Sequence, residues 1–156
     1  MQYPKDVVIV AGARTAHGKF KGSLFNTSAV DLGAIAIKET LKQAELDPEL
    51  IDEVIMGNVL SAGIGQHPAR QSAIKAGIPE EIPALTVNKM CGSSMKAIML
   101  AANAIRAGES EILIAGGMES MSQSPFTVPR AEDGKVSMEK PIDSMINDGL
   151  IYIFNG

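Results

Sequence analysis

The chain has 156 residues, of which 46% are hydrophobic and 21% are charged, a balance typical of a globular domain with a sizeable core. Its net charge of −4, without any basic block, argues against a nucleic-acid-binding protein, and no apolar run has membrane-spanning length. A single cysteine excludes an internal disulfide, and the N-terminus lacks the basic segment of a signal peptide, so we expect a soluble, cytoplasmic protein.

The first third of the chain predicts a strand, a helix and a second strand. The apolar run DVVIVAGA (6–13) is typical of a strand buried on both faces. After a Gly-rich basic loop, Ser28 is predicted to cap a helix that ends at the DPE segment, 47–49. IDEVIMGNVL (51–60) is predicted as the second strand. The helix carries one apolar stripe, formed by Val30, Ala34, Ile37, Leu41 and Ala44.

The same alternation continues along the chain. Pro68 begins a short helix that ends near Gly77, and ALTVN (84–88) is predicted as the third strand. The helix expected at 91–107 is apolar or small on most sides, which predicts burial rather than an amphipathic surface. EILIAGGME (111–119) is predicted as the fourth strand. These elements predict an α/β fold with a mainly parallel, mixed sheet and helices on both faces.

The sequence matches neither the motif of a phosphate-binding loop nor that of a zinc site. In Gly12–Lys19 five residues separate the glycines, and Phe20 stands where a phosphate-binding loop needs a metal-binding hydroxyl. His17, His67 and Cys91 have no spacing that resembles a zinc site, so we expect no bound metal.

Cys91 is the candidate nucleophile. It follows a β-branched strand and stands at the predicted first turn of a hydrophobic helix, where free backbone N–H groups and the helix dipole favour a thiolate. Gly92 lowers crowding beside the sulfur, and the same N–H groups could hold an oxyanion. The residues alone leave core packing of Cys91 as an open alternative. They also leave open whether Gly116 and Gly117 let another backbone or a ligand come close, or form a simple strand exit.

Five segments stand in order along the chain: VVIVAGARTAHGKFKGSL, GNVLSAGIGQHPARQSAIKAGIP, VNKMCGSSMKAIMLAANAI, AGGMESMSQSPF and DSMINDGLIYIFNG. Together they resemble the thiolase family. The resemblance implies that Cys91 attacks an acyl-CoA thioester and carries the acyl group until the acetyl-CoA carbanion or free coenzyme A accepts it. It implies an acetyl-CoA C-acetyltransferase, which converts two acetyl-CoA reversibly to acetoacetyl-CoA and coenzyme A, with no other cofactor.

Three alternatives stay open. The chain could derive from a 3-ketoacyl-CoA thiolase of fatty-acid β-oxidation, or from a more distant condensing enzyme. It could also be a catalytically silent, truncated thiolase that associates with other chains.

The resemblance also assigns domains and a second site residue. It implies a thiolase N-terminal core at 1–119 and the beginning of a loop domain at 120–156, in which Leu150 matches a position that lines the coenzyme A site. The family's activating histidine and its second catalytic cysteine lie in a C-terminal half that has no counterpart in these residues, and neither histidine of the chain matches that position. We therefore expect the chain to be incomplete for turnover, and to form a homo-oligomer or associate with a C-terminal half.

Overall fold

A three-stranded parallel sheet lies at the centre of the fold in a computed structural model, which describes residues 6–136, 139–152 and 154. Strand β1 (Glu53–Gly57) is flanked by β2 (Ala84–Val87) and β3 (Leu113–Gly117). The register sets Gly57 opposite both Val87 and Gly117. The carboxyl ends of the three strands therefore meet level with one another at one edge of the sheet.

Helices cover both faces of this sheet, as predicted for an α/β fold. Helices α1 (Ala29–Ala44) and α2 (Pro68–Ala76) pack together on one face, and α3 (Ser93–Ala107) packs on the other. Because side chains alternate along a strand, β1 serves both layers. Val54 and Met56 belong to the cluster under α1 and α2, whereas Ile55 packs with Ala97 and Ala101 of α3.

The helix ends follow the predicted capping signals. The Ser28 hydroxyl accepts a hydrogen bond from the Asp31 backbone N–H at 3.0 Å and donates to the Asp31 carboxylate at 2.6 Å. Helix α1 ends at Glu45 in a left-handed conformation, just before the predicted break. Helix α2 begins at Pro68 and ends at Gly77, which has a φ of 96° that favours glycine.

The segment 6–13 is not the buried strand that its apolar run predicted. It is irregular in the structure, and Val8, Ile9 and Val10 are 72%, 84% and 71% exposed. A strand that is buried on both faces needs a neighbouring strand and covering layers, and the described residues supply neither for this segment. The run is apolar, but the prediction that it forms a buried strand is wrong for this chain.

Helix α3 is likewise not buried on all sides. Its buried residues are Ser93, Ala97 and Ala101, whereas Met95 and Met99 on another face are 69% and 51% exposed. The prediction failed because the sheet covers one side of the helix and no described element covers the other side. The helix also begins at Ser93, so Cys91 precedes the helix instead of lying inside its first turn.

The segment after β3 has little regular structure, in agreement with its change in composition. A 3-10 turn (Met121–Gln123) leads to a short antiparallel pair, β4 (Phe126–Thr127) with β5 (Ile142–Asp143), and then to helix α4 (Ser144–Gly149). Another 3-10 turn, Pro48–Leu50, follows α1. No helix in the described part of the chain combines the length and the hydropathy needed to cross a membrane.

Candidate active site

A cavity of about 830 Å³ opens beside the carboxyl ends of β1 and β3 and the start of α3. Ligands of open α/β sheets bind outside the carboxyl ends of strands, so this is the expected position of a functional site. The two site residues predicted from the sequence, Cys91 and Leu150, both line it. The charged lining residues are the cations Arg14 and Lys19 and, among the described residues, a single carboxylate, that of Glu119.

Cys91 is an exposed free thiol and does not belong to the core of the described residues. A cysteine that only filled the core would be enclosed by apolar side chains, whereas this thiol faces an open cavity. A substrate can reach a thiol in this position, which a reactive cysteine requires. The role of Cys91 as a nucleophile stays a prediction, with which this accessible position is compatible.

The turn that presents Cys91 is held by the side chain of Ser93. Met90, directly before the cysteine, has a left-handed backbone with a φ of 48°, which is unfavourable for a side chain of this kind. The Ser93 hydroxyl donates to the Met90 carbonyl at 2.6 Å and accepts from the Lys89 backbone N–H at 2.8 Å. The Asn88 side-chain oxygen accepts from the Met90 N–H at 3.0 Å. These bonds stabilise the sharp bend between β2 and α3.

Two backbone N–H groups at the start of α3 are used inside this turn. The N–H of Gly92 donates to the Lys89 carbonyl at 3.0 Å, and the N–H of Ser93 donates to the Met90 carbonyl at 3.0 Å. No side chain in the part of the chain that the structure describes caps the helix. The N–H groups of Gly92 and Ser93 therefore stabilise the turn, and an oxyanion would have to be held by other donors.

The first turn of α3 rests on two glycines at the strand ends. A methyl group on Gly57 would lie 2.7 Å from the backbone of Ser93 and Ser94, and one on Gly117 would collide with the Ser94 side chain. Gly117 therefore allows the close approach of another part of the backbone, that of α3, which is one of the alternatives left open for the paired glycines. The absence of side chains at these positions brings the beginning of α3, and Cys91 with it, directly onto the sheet.

A polar cluster under the cavity was not predicted from the sequence. The half-buried carboxylate of Glu119 accepts hydrogen bonds from the Asn58 side chain at 2.8 Å and from the N–H groups of Val59 at 2.9 Å and Leu60 at 3.2 Å. Burial raises the pKa of Glu119, although these three donors act to lower it. The signal that could have revealed this cluster is an acidic residue directly after a buried, Gly-ended strand.

Asn58, the side-chain partner of Glu119, is almost completely enclosed, with 2% of its surface exposed. Its side-chain nitrogen also donates to the Met118 carbonyl at 3.2 Å. Its side-chain oxygen has no hydrogen-bond donor among the described residues. The carboxylate of Glu119 therefore fixes the orientation of this amide, since a reversed amide would set two acceptor oxygens against each other.

The two histidines are separated in the structure. His17 lines the cavity that contains Cys91, and its Nδ1 atom lies 3.2 Å from the Arg14 guanidinium. Because arginine only donates, Nδ1 acts as an acceptor, and a neutral His17 carries its proton on Nε2. His67 precedes α2 and is absent from the lining of the cavity. No group of three or more potential metal ligands occurs among the described residues.

Residues 7–156 match the family model of the thiolase N-terminal domain. The chain belongs to the thiolase family. Over 151 residues it is 56% identical to an acetyl-CoA acetyltransferase of Cupriavidus necator, an alignment that covers 96% of the chain and 38% of that relative. It is 53% identical to the acetyl-CoA acetyltransferase of Pseudomonas aeruginosa, over 97% of the chain and 39% of the relative. The resemblance to thiolases is thus confirmed.

The fold is also that of a thiolase. The structure matches a crystal structure of the Acat5 thiolase from Ascaris suum in complex with coenzyme A, with a TM-score of 0.87 and 46% sequence identity. The match covers 93% of the chain and 38% of the Ascaris suum protein. The chain therefore spans about two fifths of the length of the thiolases that it matches.

Proposed function

We propose that the protein is an acetyl-CoA C-acetyltransferase in which Cys91 carries the acetyl group. The observation that carries this proposal is the exposed Cys91 thiol at the beginning of α3, facing a cavity of about 830 Å³ in a chain of the thiolase family. The similarity to acetyl-CoA acetyltransferases supports the acetyl group as the group transferred.

The reaction proceeds in two acyl transfers. The Cys91 thiolate attacks the thioester carbonyl of acetyl-CoA, a sulfur–carbon bond forms, and coenzyme A leaves and takes up a proton. A base then takes up a proton from the methyl carbon of a second acetyl-CoA, and the resulting carbanion attacks the carbonyl carbon of the acetyl-cysteine. This step forms acetoacetyl-CoA and releases the Cys91 thiolate. In the reverse direction, free coenzyme A accepts the acyl group.

The charged and apolar residues that line the cavity are suited to bind coenzyme A. Arg14 and Lys19 place two positive charges in the lining, which is favourable for a substrate that carries phosphate groups. Leu150 lines the same cavity and offers an apolar contact for the substrate. We assign residues 1–119 to the core domain and residues 120–156 to the beginning of the loop domain that contributes Leu150. The reaction needs no metal or further cofactor.

The exposed apolar surfaces support association with another chain or with a C-terminal half. Met95, Ile98 and Met99 form an exposed apolar strip on α3, and Val8–Val10 is a second exposed apolar segment. Contiguous apolar surface of this kind is typical of protein contacts. We further propose that such a partner or C-terminal half supplies the base that activates Cys91. We place the protein in the cytoplasm, as the single cysteine is compatible with a reducing compartment.

Peptide mapping after incubation with acetyl-CoA tests this function. We expect an acetyl group on the peptide that contains Cys91 in the whole protein as its gene encodes it, and none at that peptide in Cys91→Ala. Acetylation of other residues without acetylation of Cys91 would rule the proposal out. Thiolysis rates on acetoacetyl-CoA and on longer 3-ketoacyl-CoA substrates then separate an acetyltransferase from a thiolase of β-oxidation. A preference for the longer substrates would favour the latter.

A further inference from the structure

Two carboxylates join β1 to β3, one at each end of the strand pair. At the amino ends, the Asp52 carboxylate accepts hydrogen bonds from the N–H groups of Glu111 at 2.6 Å and Ile112 at 2.9 Å. At the carboxyl ends, the Glu119 carboxylate accepts from Asn58, Val59 and Leu60. Each carboxylate and its hydrogen-bond donors form a clamp, in which a side chain next to one strand is hydrogen-bonded to the segment next to the other strand.

Only the Glu119 clamp lies at the end of the sheet that carries Cys91. Asn58, which it holds, directly follows Gly57, and the Gly57 carbonyl accepts from the Met118 N–H at 3.0 Å. Gly57 in turn supports the backbone of Ser93, whose side chain holds the cysteine turn. A continuous series of contacts therefore leads from the Glu119 carboxylate through the strand end to the turn that presents the nucleophile.

The surroundings of the two carboxylates differ. Asp52 is exposed, and the N–H groups of Ile112 and Glu111 lower its pKa. Glu119 is half-buried, and burial raises its pKa. A carboxylate that is partly removed from water loses hydration energy, so it contributes less to stability than an exposed carboxylate with similar donors. Stability alone is therefore a poor explanation for a carboxylate at this position.

We propose that Glu119 is a positioning residue for Cys91. Its carboxylate holds the Asn58–Leu60 backbone against the end of β3, and so fixes the surface on which the first turn of α3 lies. This assignment rests on the proposed acyl transfer through Cys91. Glu119 acts through the backbone and needs no contact with the substrate.

The test compares Glu119→Gln with Asp52→Asn in the whole protein as its gene encodes it. Glutamine keeps the size of the side chain, but it has one acceptor oxygen, and its NH₂ group would face an N–H donor of the Asn58–Leu60 segment. Asp52→Asn makes the equivalent change at the opposite end of the same strands. Glu119→Asp serves as a second variant, since it keeps the charge and both oxygens and shortens the side chain. Three quantities are measured for each variant: the thermal midpoint, the alkylation rate of Cys91 by iodoacetamide, and kcat and KM for acyl transfer.

We expect Glu119→Gln to lower both the Cys91 alkylation rate and kcat by about tenfold or more, with little change in KM, because a displaced nucleophile affects the chemical step. Asp52→Asn should lower the thermal midpoint and leave the alkylation rate within about twofold. The alkylation rate and kcat of Glu119→Asp should lie between those of Glu119→Gln and those of the unaltered protein. If Glu119→Gln does not fold, a lowered alkylation rate in Glu119→Asp supports the proposal.

Two results would overturn the assignment. One is a folded Glu119 variant whose alkylation rate and kcat match those of the unaltered protein. The other is an equal loss of Cys91 reactivity in Asp52→Asn, which would show that any weakening of the sheet has the same effect. A failure of the proposed function looks different: Cys91 of the unaltered protein would not be acetylated by acetyl-CoA, while its alkylation rate would still depend on Glu119.

Discussion

The hydroxyl of Ser93 donates to the carbonyl of Met90 at 2.6 Å and thereby connects the two sides of Cys91. The same oxygen accepts from the Lys89 N–H, so one enclosed side chain holds the whole turn. Ser93 is only 5% exposed. If its hydroxyl is removed by mutation, water cannot easily take the place of the hydroxyl as a hydrogen-bond partner.

Ser93→Ala should therefore reduce both stability and reactivity. We expect a loss of about 1–3 kcal/mol in the free energy of unfolding, since the Lys89 N–H loses its partner. The Cys91 alkylation rate should fall as well, because the turn is less well held. Urea unfolding and iodoacetamide labelling measure the two effects. Ser23→Ala, at an exposed serine outside the cavity, is the control and should change neither. Full reactivity in Ser93→Ala would show that the backbone alone maintains the turn.

The left-handed backbone of Met90 predicts a difference between two substitutions at this position. Met90→Gly should be nearly neutral, because glycine adopts a φ of 48° without strain but has a more flexible unfolded state. Met90→Val should lose about 1 kcal/mol or more, because β-branched residues are least compatible with positive φ. Urea unfolding of both variants checks this order. Equal stabilities would mean that the turn changes conformation when the side chain is replaced.

Gly57 should tolerate no side chain. A methyl group there would lie 2.7 Å from backbone atoms of Ser93 and Ser94, which cannot move without displacing α3. We expect Gly57→Ala to lose about 1–3 kcal/mol and to lower the Cys91 alkylation rate. Gly12→Ala is the matched control, since a methyl group on Gly12 would meet no atom of the described residues within 4 Å. A Gly57→Ala variant as stable and reactive as Gly12→Ala would contradict this account of the packing.

The two carboxylate clamps should respond to pH in opposite directions. The pKa of Glu119 in the folded state lies above its ordinary value of 4.5, so the folded state binds a proton more readily than the unfolded state. The stability that results is present at low pH and is lost as the pH rises through the folded-state pKa. The folded pKa of Asp52 lies below 3.8, so its contribution is present above that value and is lost as the pH falls through the folded pKa.

Urea unfolding across this acidic range measures both contributions. Glu119→Gln should remove the loss of stability with rising pH, and Asp52→Asn should remove part of the loss with falling pH. If the two variants had identical profiles of unfolding free energy against pH, the pKa values of Glu119 and Asp52 would not be shifted in opposite directions.

The exposed strip on α3 predicts self-association of the 156-residue chain. Met95 and Met99 are 69% and 51% exposed on one helix, and water contact of so much apolar surface is unfavourable. Sedimentation velocity over a range of concentrations should show species larger than a monomer. A double Met95→Gln, Met99→Gln variant should shift the distribution towards the monomer. Lys42→Gln on exposed α1 surface is the control and should leave it unchanged.

Local sequence signals predicted the elements that depend on short-range interactions. The cap at Ser28, the glycine end at Gly77 and the position of Cys91 between a strand and a helix follow from neighbouring residues. The segment 6–13 and the exposed side of α3 were predicted wrongly, since their burial depends on covering elements that the described residues do not contain. Glu119 was missed because its donors lie about sixty residues earlier in the chain.

The level strand ends have a consequence for how the protein can be monitored. Gly57 and Gly117 lie opposite each other only in the observed register, and a shift of β3 by one residue in one direction would bring Met118 to that position. With a methionine beneath it, the beginning of α3 could not approach the sheet, and the Cys91 thiol would lose its present setting. The labelling rate of this one thiol therefore reports on strand alignment, and it can serve as a kinetic probe of when the sheet reaches its final pairing during refolding.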